Sequence, residues 1–185
     1  MPPVSSPLCY DIFPTPLPNI GGYALALMSE NGITFLAFAE EKINLETYLK
    51  LEAPFAKAIT ADSPQADWVL ALKTWMPQRQ TEIKLPLDLH GTPFQEAVWQ
   101  ALSEIPYGET CSYSELAERV GKPKAVRAVA SACGKNPLAV VVPCHRVLGK
   151  GGQLSGFRWG LSMKKDLLAQ EGIILTSLHK PTSKH

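Results

Sequence analysis

The tetrapeptide Pro143-Cys144-His145-Arg146 places a thiol next to an imidazole, and these two groups together can form a nucleophile. The thiolate is the reactive form of cysteine, so a reactive cysteine needs a base nearby or a lowered pKa. Adjacent residues of a strand point to opposite faces, so Cys144 and His145 can act together only through a turn or a bridging water. Taken alone, a Cys-His dipeptide is more often a buried structural cysteine beside a surface histidine.

The other cysteines and histidines do not suggest a metal site. The chain has four cysteines, without a Cys-x-x-Cys pair, and four histidines, and their spacing matches no structural zinc site. They are Cys9, Cys111, Cys133, Cys144, His90, His145, His179 and His185. The sequence therefore predicts free thiols in a reducing compartment, no metal and no cofactor.

Basic residues are concentrated around the Cys-His pair. Residues 119–165 contain ten basic side chains and no Asp or Glu, whereas residues 1–118 contain 6 basic and 15 acidic ones. The ten are Arg119, Lys122, Lys124, Arg127, Lys135, Arg146, Lys150, Arg158, Lys164 and Lys165. This asymmetry indicates an anionic partner, with nucleic acid the leading candidate, although a solvated basic surface would show the same composition. We also expect the positive field to lower the pKa of Cys144 below the reference value of about 8.5.

A segment upstream of the pair consists almost entirely of small residues. Ala125–Ala132 contains one long cation, Arg127. Small side chains let a helix approach a partner closely, which suits entry into a nucleic acid groove with Arg127 reaching the base stack. From this segment alone, an ordinary alanine-rich packing helix is the simpler interpretation.

Residues 91–174 read as a C-terminal domain made mostly of helices, which carries the Cys-His pair and most of the basic residues. Capping boxes at Thr92–Gln95 and Ser112–Glu115 open two helices, the second ending at Gly121. A further helix is predicted over about Lys124–Cys133, opened by Pro123, and the two around Gly121 form a plausible helix-turn-helix.

The rest of this domain must hold the Cys-His pair. Leu138–Val142 reads as a buried strand or an extended segment that ends at Pro143. A glycine-rich loop, Gly149–Gly160, precedes a last helix from about Leu161 to Glu171, and Gly172 stops that helix.

Residues 19–90 read as an N-terminal α/β domain. The apolar runs Ile20–Ser29 and Ile33–Ala39, joined by Asn31-Gly32, predict a β-hairpin with positive φ angles in its turn. Helices are predicted near Leu45–Leu51 and after Ser63-Pro64, and Thr81–Leu89 is predicted as an edge strand because Pro86 interrupts it.

The two ends of the chain are predicted to be flexible. Residues 1–18 contain six prolines and read as an arm, and residues 175–185 read as a tail. The fold class is thus two-domain α/β, with a small antiparallel sheet and helix followed by a mostly helical domain with a helix-turn-helix.

Composition excludes several broad classes of protein. The 185 residues are 45% hydrophobic and 19% charged, which suits one or two globular domains and not a wholly disordered chain. Apolar runs are far shorter than the roughly 18 residues of a membrane span, and no signal peptide is predicted. We therefore expect a cytoplasmic protein with no membrane partner, and we take it to be a monomer.

The stretch Gly91–Gly172 resembles the catalytic region of the O6-alkylguanine-DNA alkyltransferases, the methylated-DNA–protein-cysteine methyltransferases, of bacterial type. Six segments occur in the family's order and spacing. They are Gly91–Gln95, Ile105–Glu109 with Ser112-Tyr113, Arg127–Val129, Gly134–Pro137, Val142–Val147 and Glu171-Gly172. The N-terminal region fits the family's more variable domain only in outline.

The resemblance implies a DNA-repair transferase that acts once. Its partner would be duplex DNA containing O6-alkylguanine, bound through the helix-turn-helix in the minor groove, with the damaged base flipped into a pocket. The alkyl group of O6-alkylguanine, and of O4-alkylthymine, would pass irreversibly to Cys144, in the activity of a methylated-DNA–[protein]-cysteine S-methyltransferase. The thioether does not hydrolyse, so each molecule reacts once.

The resemblance also implies roles for individual residues. Cys144 would be the nucleophile, His145 its base through a water, and Glu171 the group that orients His145. Asn136 would hold the turn, and Tyr113 would protonate the departing guanine. The residues implied in DNA binding are Ser112, Tyr113, Lys124, Ala125, Arg127, Ala128 and Arg146. The residues implied in the substrate pocket are Val147, Phe157, Arg158 and Trp159.

Three other functions compete with this one. A protein that binds alkyl lesions without transferring the group is the first alternative, and it is disfavoured because Cys144 is present. A cysteine hydrolase would need an oxyanion hole, of which the sequence shows no feature. A plain helix-turn-helix regulator would leave the Cys-His pair unexplained.

Overall fold

A computed structural model describes residues 7–175. The chain divides into two compact units, Met1–Gly91 and Thr92–His185. The first unit contains, in chain order, β1 (Cys9–Pro14), β2 (Tyr23–Ser29), β3 (Gly32–Ala39), α1 (Lys42–Glu52), β4 (Lys57–Ala58) and α2 (Pro64–Trp75). The second contains α3 (Pro93–Ser103), β5 (Cys111–Ser112), α4 (Tyr113–Arg119), α5 (Val126–Gly134), a 3₁₀ turn (Cys144–Arg146), β6 (Val147–Leu148), a 3₁₀ turn (Lys150–Gly152) and α6 (Leu161–Gln170). The predicted fold class is confirmed.

The sheet of the first unit is built on the predicted hairpin. In the described chain its strand order is β3-β2-β1-β4, with β1 and β3 antiparallel to β2, and β4 parallel to β1. Residues 24–29 of β2 and 32–38 of β3 are all buried, so both strands lie in the core. The turn lies one residue earlier than predicted, at Glu30 and Asn31, and only its neighbour Gly32 takes a positive φ, +151°.

Two predictions for the first unit are wrong. Part of the predicted arm, Cys9–Pro14, forms β1, because the one proline in this segment, Pro14, is the last residue of the strand, where its missing N–H costs the ladder little. The predicted strand Thr81–Leu89 reduces to one bridge, in which Ile33 N donates to Pro86 O and Asp88 N donates to Ile33 O. The predicted tail lies outside the described residues apart from its first residue.

The helices of the second unit follow their capping signals. Thr92 and Gln95 form the complete predicted capping box of α3, and Ser112 Oγ accepts from Glu115 N at the start of α4. Helix α5 begins at Val126, later than predicted, because Pro123 and Lys124 lie in the turn after α4. The described part of the chain contains no helix long and apolar enough to cross a membrane.

Candidate active site and nucleic-acid interface

The turn before Cys144 is fixed by Asn136. Its Nδ2 donates to Val142 O at 2.7 Å, and its Oδ1 accepts from Leu138 N at 2.9 Å. Val142 N donates to Leu138 O at 2.8 Å, and Val140 has a φ of +78°, which is strained for a β-branched residue. Residues 138–142 therefore form a tight, buried turn, and the predicted strand is wrong.

Cys144 begins the 3₁₀ turn and is 9% exposed. Burial raises the pKa of its thiol, outweighing the opposing effects of the Asn136 side chain and the charge of Lys164. The expectation that the basic segment would lower this pKa is therefore wrong. Of the ten basic side chains, eight are exposed to solvent, where water screens their charge.

His145 and Glu171 form a fully buried pair. Nε2 of His145 lies 2.6 Å from Oε2 of Glu171, and both side chains have no exposed surface. Burial alone would raise the pKa of Glu171, but hydrogen bonds and charges from His145 and Arg146 lower it to about 2. An ionised carboxylate only accepts, so Nε2 carries the hydrogen and Nδ1 is the ring nitrogen that can act as a base. The 3₁₀ turn thus places an oriented imidazole directly after the thiol.

Arg146, which is predicted to contact DNA, has buried partners within the protein. The residue is only 7% exposed. Its Nε donates to Oε1 of Glu171 at 2.6 Å and its Nη1 donates to Ile105 O at 2.8 Å. The guanidinium also lies 5.7 Å from the centre of the Tyr107 ring. A cation committed to a buried carboxylate has no free face for a phosphate.

Helix α6 and its C-cap supply two charged groups to the site, Lys164 and Glu171. Only Glu171 was predicted from the sequence. Lys164, Leu167, Leu168 and Glu171 lie at helical spacing and are all buried. Glu171 ends this stripe at the helix C-cap, and Lys164 lies two turns earlier. The spacing from Lys164 to Glu171 was the signal that could have identified the lysine.

Tyr113 and Ser112 lie at the start of α4. The hydroxyl of Tyr113 donates to Ser155 O at 3.5 Å, a long contact. Burial, with a smaller effect from Cys133, raises the pKa of Tyr113 to about 12, so the phenol is protonated at neutral pH. Ser112 is the N-cap of α4 and is half-buried.

The outer face of α5 carries two of the predicted DNA-binding residues. Arg127 and Ala128 are exposed, whereas Val129, Ala132 and Cys133 on the other face are buried. Lys124 is exposed and Ala125 half-buried in the turn before the helix. The helix therefore fits both interpretations of its small residues. One face packs in the core, and the other is an open surface with a single long cation.

The predicted pocket residues occupy different depths. Val147 is fully buried, Phe157 and Trp159 are half-buried, and Arg158 is exposed, with its guanidinium 5.0 Å from the centre of the Trp159 ring. An open cleft of about 690 Å³ lies between the start of α4 and the loop 149–152, and none of these four residues lines it. Among the described residues, no group of three or more His, Cys, Asp or Glu side chains could hold a metal ion.

The fold and the site define a class of protein in which a small α/β unit precedes a helical unit that carries a cysteine beside a buried histidine–carboxylate pair. Residues 93–173 match the family described as 6-O-methylguanine DNA methyltransferase, DNA binding domain. A methylated-DNA–protein-cysteine methyltransferase of Mycobacterium leprae is 53% identical over 114 residues, 61% of this chain and 69% of that protein. The chain belongs to the methylated-DNA–protein-cysteine methyltransferase family.

Two further comparisons extend this result. The bifunctional transcriptional activator/DNA repair enzyme Ada of Escherichia coli is 47% identical over 150 residues, 81% of this chain but 42% of Ada. The chain therefore spans less than half the length of that relative. A crystal structure of Mycobacterium tuberculosis OGT in complex with DNA matches with a TM-score of 0.70 and 36% identity, covering 88% of this chain and 91% of that one.

Proposed function

We propose that this protein repairs DNA by moving the alkyl group of O6-alkylguanine onto its own Cys144. The observation that carries the proposal is the buried His145–Glu171 pair directly after the cysteine. A thiol whose pKa is raised by burial needs a base to become a thiolate, and an imidazole oriented by a carboxylate is such a base. In the family, a water carries the proton from the thiol to the histidine.

The proposed transfer is one displacement. The Cys144 sulfur attacks the alkyl carbon, a carbon–sulfur bond forms, and the carbon–oxygen bond breaks with its electron pair going to O6 of guanine. His145 holds the proton that leaves the thiol, while Tyr113, protonated at neutral pH, donates one to the departing base. The products are an S-alkylcysteine and an unmodified guanine, so transfer is stoichiometric. O4-alkylthymine would react in the same way.

The proposed substrate is reached by base flipping in duplex DNA, because a base atom inside the stack cannot meet a buried sulfur. The exposed face of α5 would enter the minor groove with α4 as the first helix of a helix-turn-helix, and Arg127 would fill the space left by the base. The M. tuberculosis protein of similar fold was crystallised with DNA, which supports this partner. We also propose that the protein is a monomer in the bacterial cytoplasm, the compartment that contains the DNA.

The test is to incubate the protein with a duplex carrying one O6-methylguanine with an isotopically labelled methyl group. We expect the intact mass to rise by one labelled methyl group, located on the Cys144 peptide, and to stop at one equivalent per protein. Cys144→Ser should show no gain but should still bind the damaged duplex. Cys9→Ser, which changes a thiol of the first unit, should react like the wild type.

Other outcomes would support the competing functions. Binding to damaged duplex with no mass gain would indicate a lesion-binding protein. Label released beyond one equivalent per protein would indicate a turning-over hydrolase and would overturn the proposal.

A further inference from the structure

The carboxylate that holds the imidazole belongs to Glu171, the C-cap of α6. The chain leaves this helix through a Schellman motif, in which Ile173 N donates to Leu168 O at 2.8 Å. The second bond of the motif runs from Gly172 N to Ala169 O at 3.0 Å, and Gly172 has the positive φ, +83°, that the motif requires. The motif thus provides partners for two of the last carbonyls of the helix.

The next carbonyl, Gln170 O, is bound by a distant side chain, Tyr107. The hydroxyl of Tyr107 donates to it at 2.8 Å, across 63 positions of the sequence. Tyr107 is half-buried and lies in the loop between α3 and β5. Its neighbour Gly108 also lies against the end of the helix, because a Cβ at that position would be 3.5 Å from Glu171 O. The loop therefore contacts the peptide before Glu171 and the peptide after it.

The same loop contacts Arg146, the cation that pairs with this carboxylate. Nε of Arg146 donates to Oε1 of Glu171 at 2.6 Å, and its Nη1 donates to Ile105 O at 2.8 Å. The guanidinium carbon lies 5.7 Å from the centre of the Tyr107 ring, within the range of a cation–π contact. One tyrosine thus touches both the backbone that carries the carboxylate and the cation that pairs with it.

We propose that Tyr107 is a positioning residue for the transfer, which orients His145 by fixing the backbone of Glu171 with its hydroxyl and the side chain of Arg146 with its ring. This inference rests on His145 being the base of the proposed function. One oxygen of the carboxylate lies 2.6 Å from Nε2 of His145. A shift of the Glu171 backbone would therefore turn the imidazole and displace Nδ1, the nitrogen that can take the proton.

The first experiment measures how fast the Nε2 hydrogen of His145 exchanges with water, by NMR of the free protein with isotopically labelled histidine and tryptophan. His145→Gln identifies the signal. Tyr107→Phe keeps the ring and loses the hydroxyl, so exchange should become about fivefold faster, the effect of one neutral hydrogen bond on a local opening. Tyr107→Leu should exchange faster still, because it also removes the ring from Arg146.

Two controls separate positioning from general stability. Nε1 of Trp99 donates to Ala132 O at 2.9 Å in the same unit, so the exchange of its hydrogen reports on opening away from His145. Tyr23→Phe removes a phenol from the first unit and should leave both rates at the wild-type value. Equal acceleration of the two hydrogens in Tyr107→Phe would indicate a purely structural role and would overturn the inference. Exchange of the His145 hydrogen at the wild-type rate in this variant would overturn it too.

The second experiment follows methyl transfer from a duplex carrying O6-methylguanine over a series of DNA concentrations. Tyr107→Phe should lower the rate at saturating DNA about tenfold, because a displaced imidazole takes the proton less readily, and should leave the half-saturating DNA concentration unchanged. Transfer by this variant at the wild-type rate would contradict the inference.

The exchange measurement uses no DNA, so the inference and the proposed function fail separately. A wild-type protein that transfers no methyl group would remove the proposed function, whatever the exchange rates. Normal transfer by the wild type, with wild-type exchange in Tyr107→Phe, would remove the role of Tyr107 alone.

Discussion

Arg146 and Glu171 form a buried ion pair, with Nε of the arginine 2.6 Å from Oε1 of the glutamate. The other carboxylate oxygen holds His145, so Arg146 fixes the orientation of the imidazole through Glu171. The arginine that precedes Val147 therefore belongs to the buried network around His145, and we propose that it supports the base instead of binding DNA.

Arg146→Met should destabilise the protein by about 3–5 kcal/mol, because it leaves a buried carboxylate without its cation. Methyl transfer should slow, while affinity for undamaged duplex stays at the wild-type level. Thermal unfolding and a DNA-binding titration measure the two effects. Weaker DNA binding with an unchanged melting temperature would restore the original prediction that Arg146 contacts DNA.

Ionisation of Glu171 should make the free energy of unfolding depend on pH in the acid range. Its pKa is lowered from 4.5 to about 2 in the folded protein, so the folded state favours the ionised form. The stabilisation is fully present above pH 4.5 and is lost as the pH falls toward 2. Urea unfolding at a series of pH values should show this loss in the wild type and a flatter profile in Glu171→Gln. Parallel profiles would show that Glu171 does not titrate in this way.

Arg127 and Lys124 should differ in how they contribute to DNA binding. Lys124→Ala should reduce the dependence of binding on salt by about one counterion, as expected for a phosphate contact. Arg127→Ala should leave the salt dependence closer to that of the wild type but slow repair of a lesion in duplex DNA, since its proposed place is in the base stack. Repair rates on duplex and single-stranded substrates separate the two roles. A mutant that repairs duplex DNA at the wild-type rate would make Arg127 a surface residue only.

Asn136→Ala should lower both stability and transfer rate. The change leaves Leu138 N buried without its acceptor, at a cost of about 1–3 kcal/mol, whereas Val142 O still accepts from Cys144 N. It also removes a side chain that lowers the pKa of Cys144, so the reactivity of the thiol should shift to higher pH. Asn44→Ala, on the exposed surface of α1, is the control for the loss of an amide. A normal melting temperature in Asn136→Ala would contradict this account of the turn.

Local signals in the sequence predicted the elements with strong local rules. The capping box at Thr92, the hairpin before Gly32 and the helix capped by Glu171 all depend on residues a few positions apart. The turn at residues 138–142 was mistaken for a strand because its apolar residues suit either structure, and the hydrogen bonds of Asn136 decide between them.

The positions of the basic residues were the feature least well predicted from the sequence. Arg146 and Lys164 were predicted to be surface cations together with the other basic residues. They are buried, because each has hydrogen-bond partners in distant parts of the chain that the sequence does not reveal. Arg146 pairs with a carboxylate 25 residues away, and Lys164 donates to carbonyls of strand β6 and of the loop that contains Ser155. The pKa of Cys144 depends on these positions, so its direction of shift could not be derived from composition.

The burial of Cys144 bears on how long an unreacted molecule lasts. A protein that can react only once is lost if its thiol meets a soluble oxidant or alkylating agent before it meets a lesion. With 9% of the residue exposed and the thiol held in its protonated form, Cys144 presents little thiolate to such reagents. Under the proposed function, the burial that makes a base necessary would therefore also preserve the protein until a damaged base is brought to the sulfur.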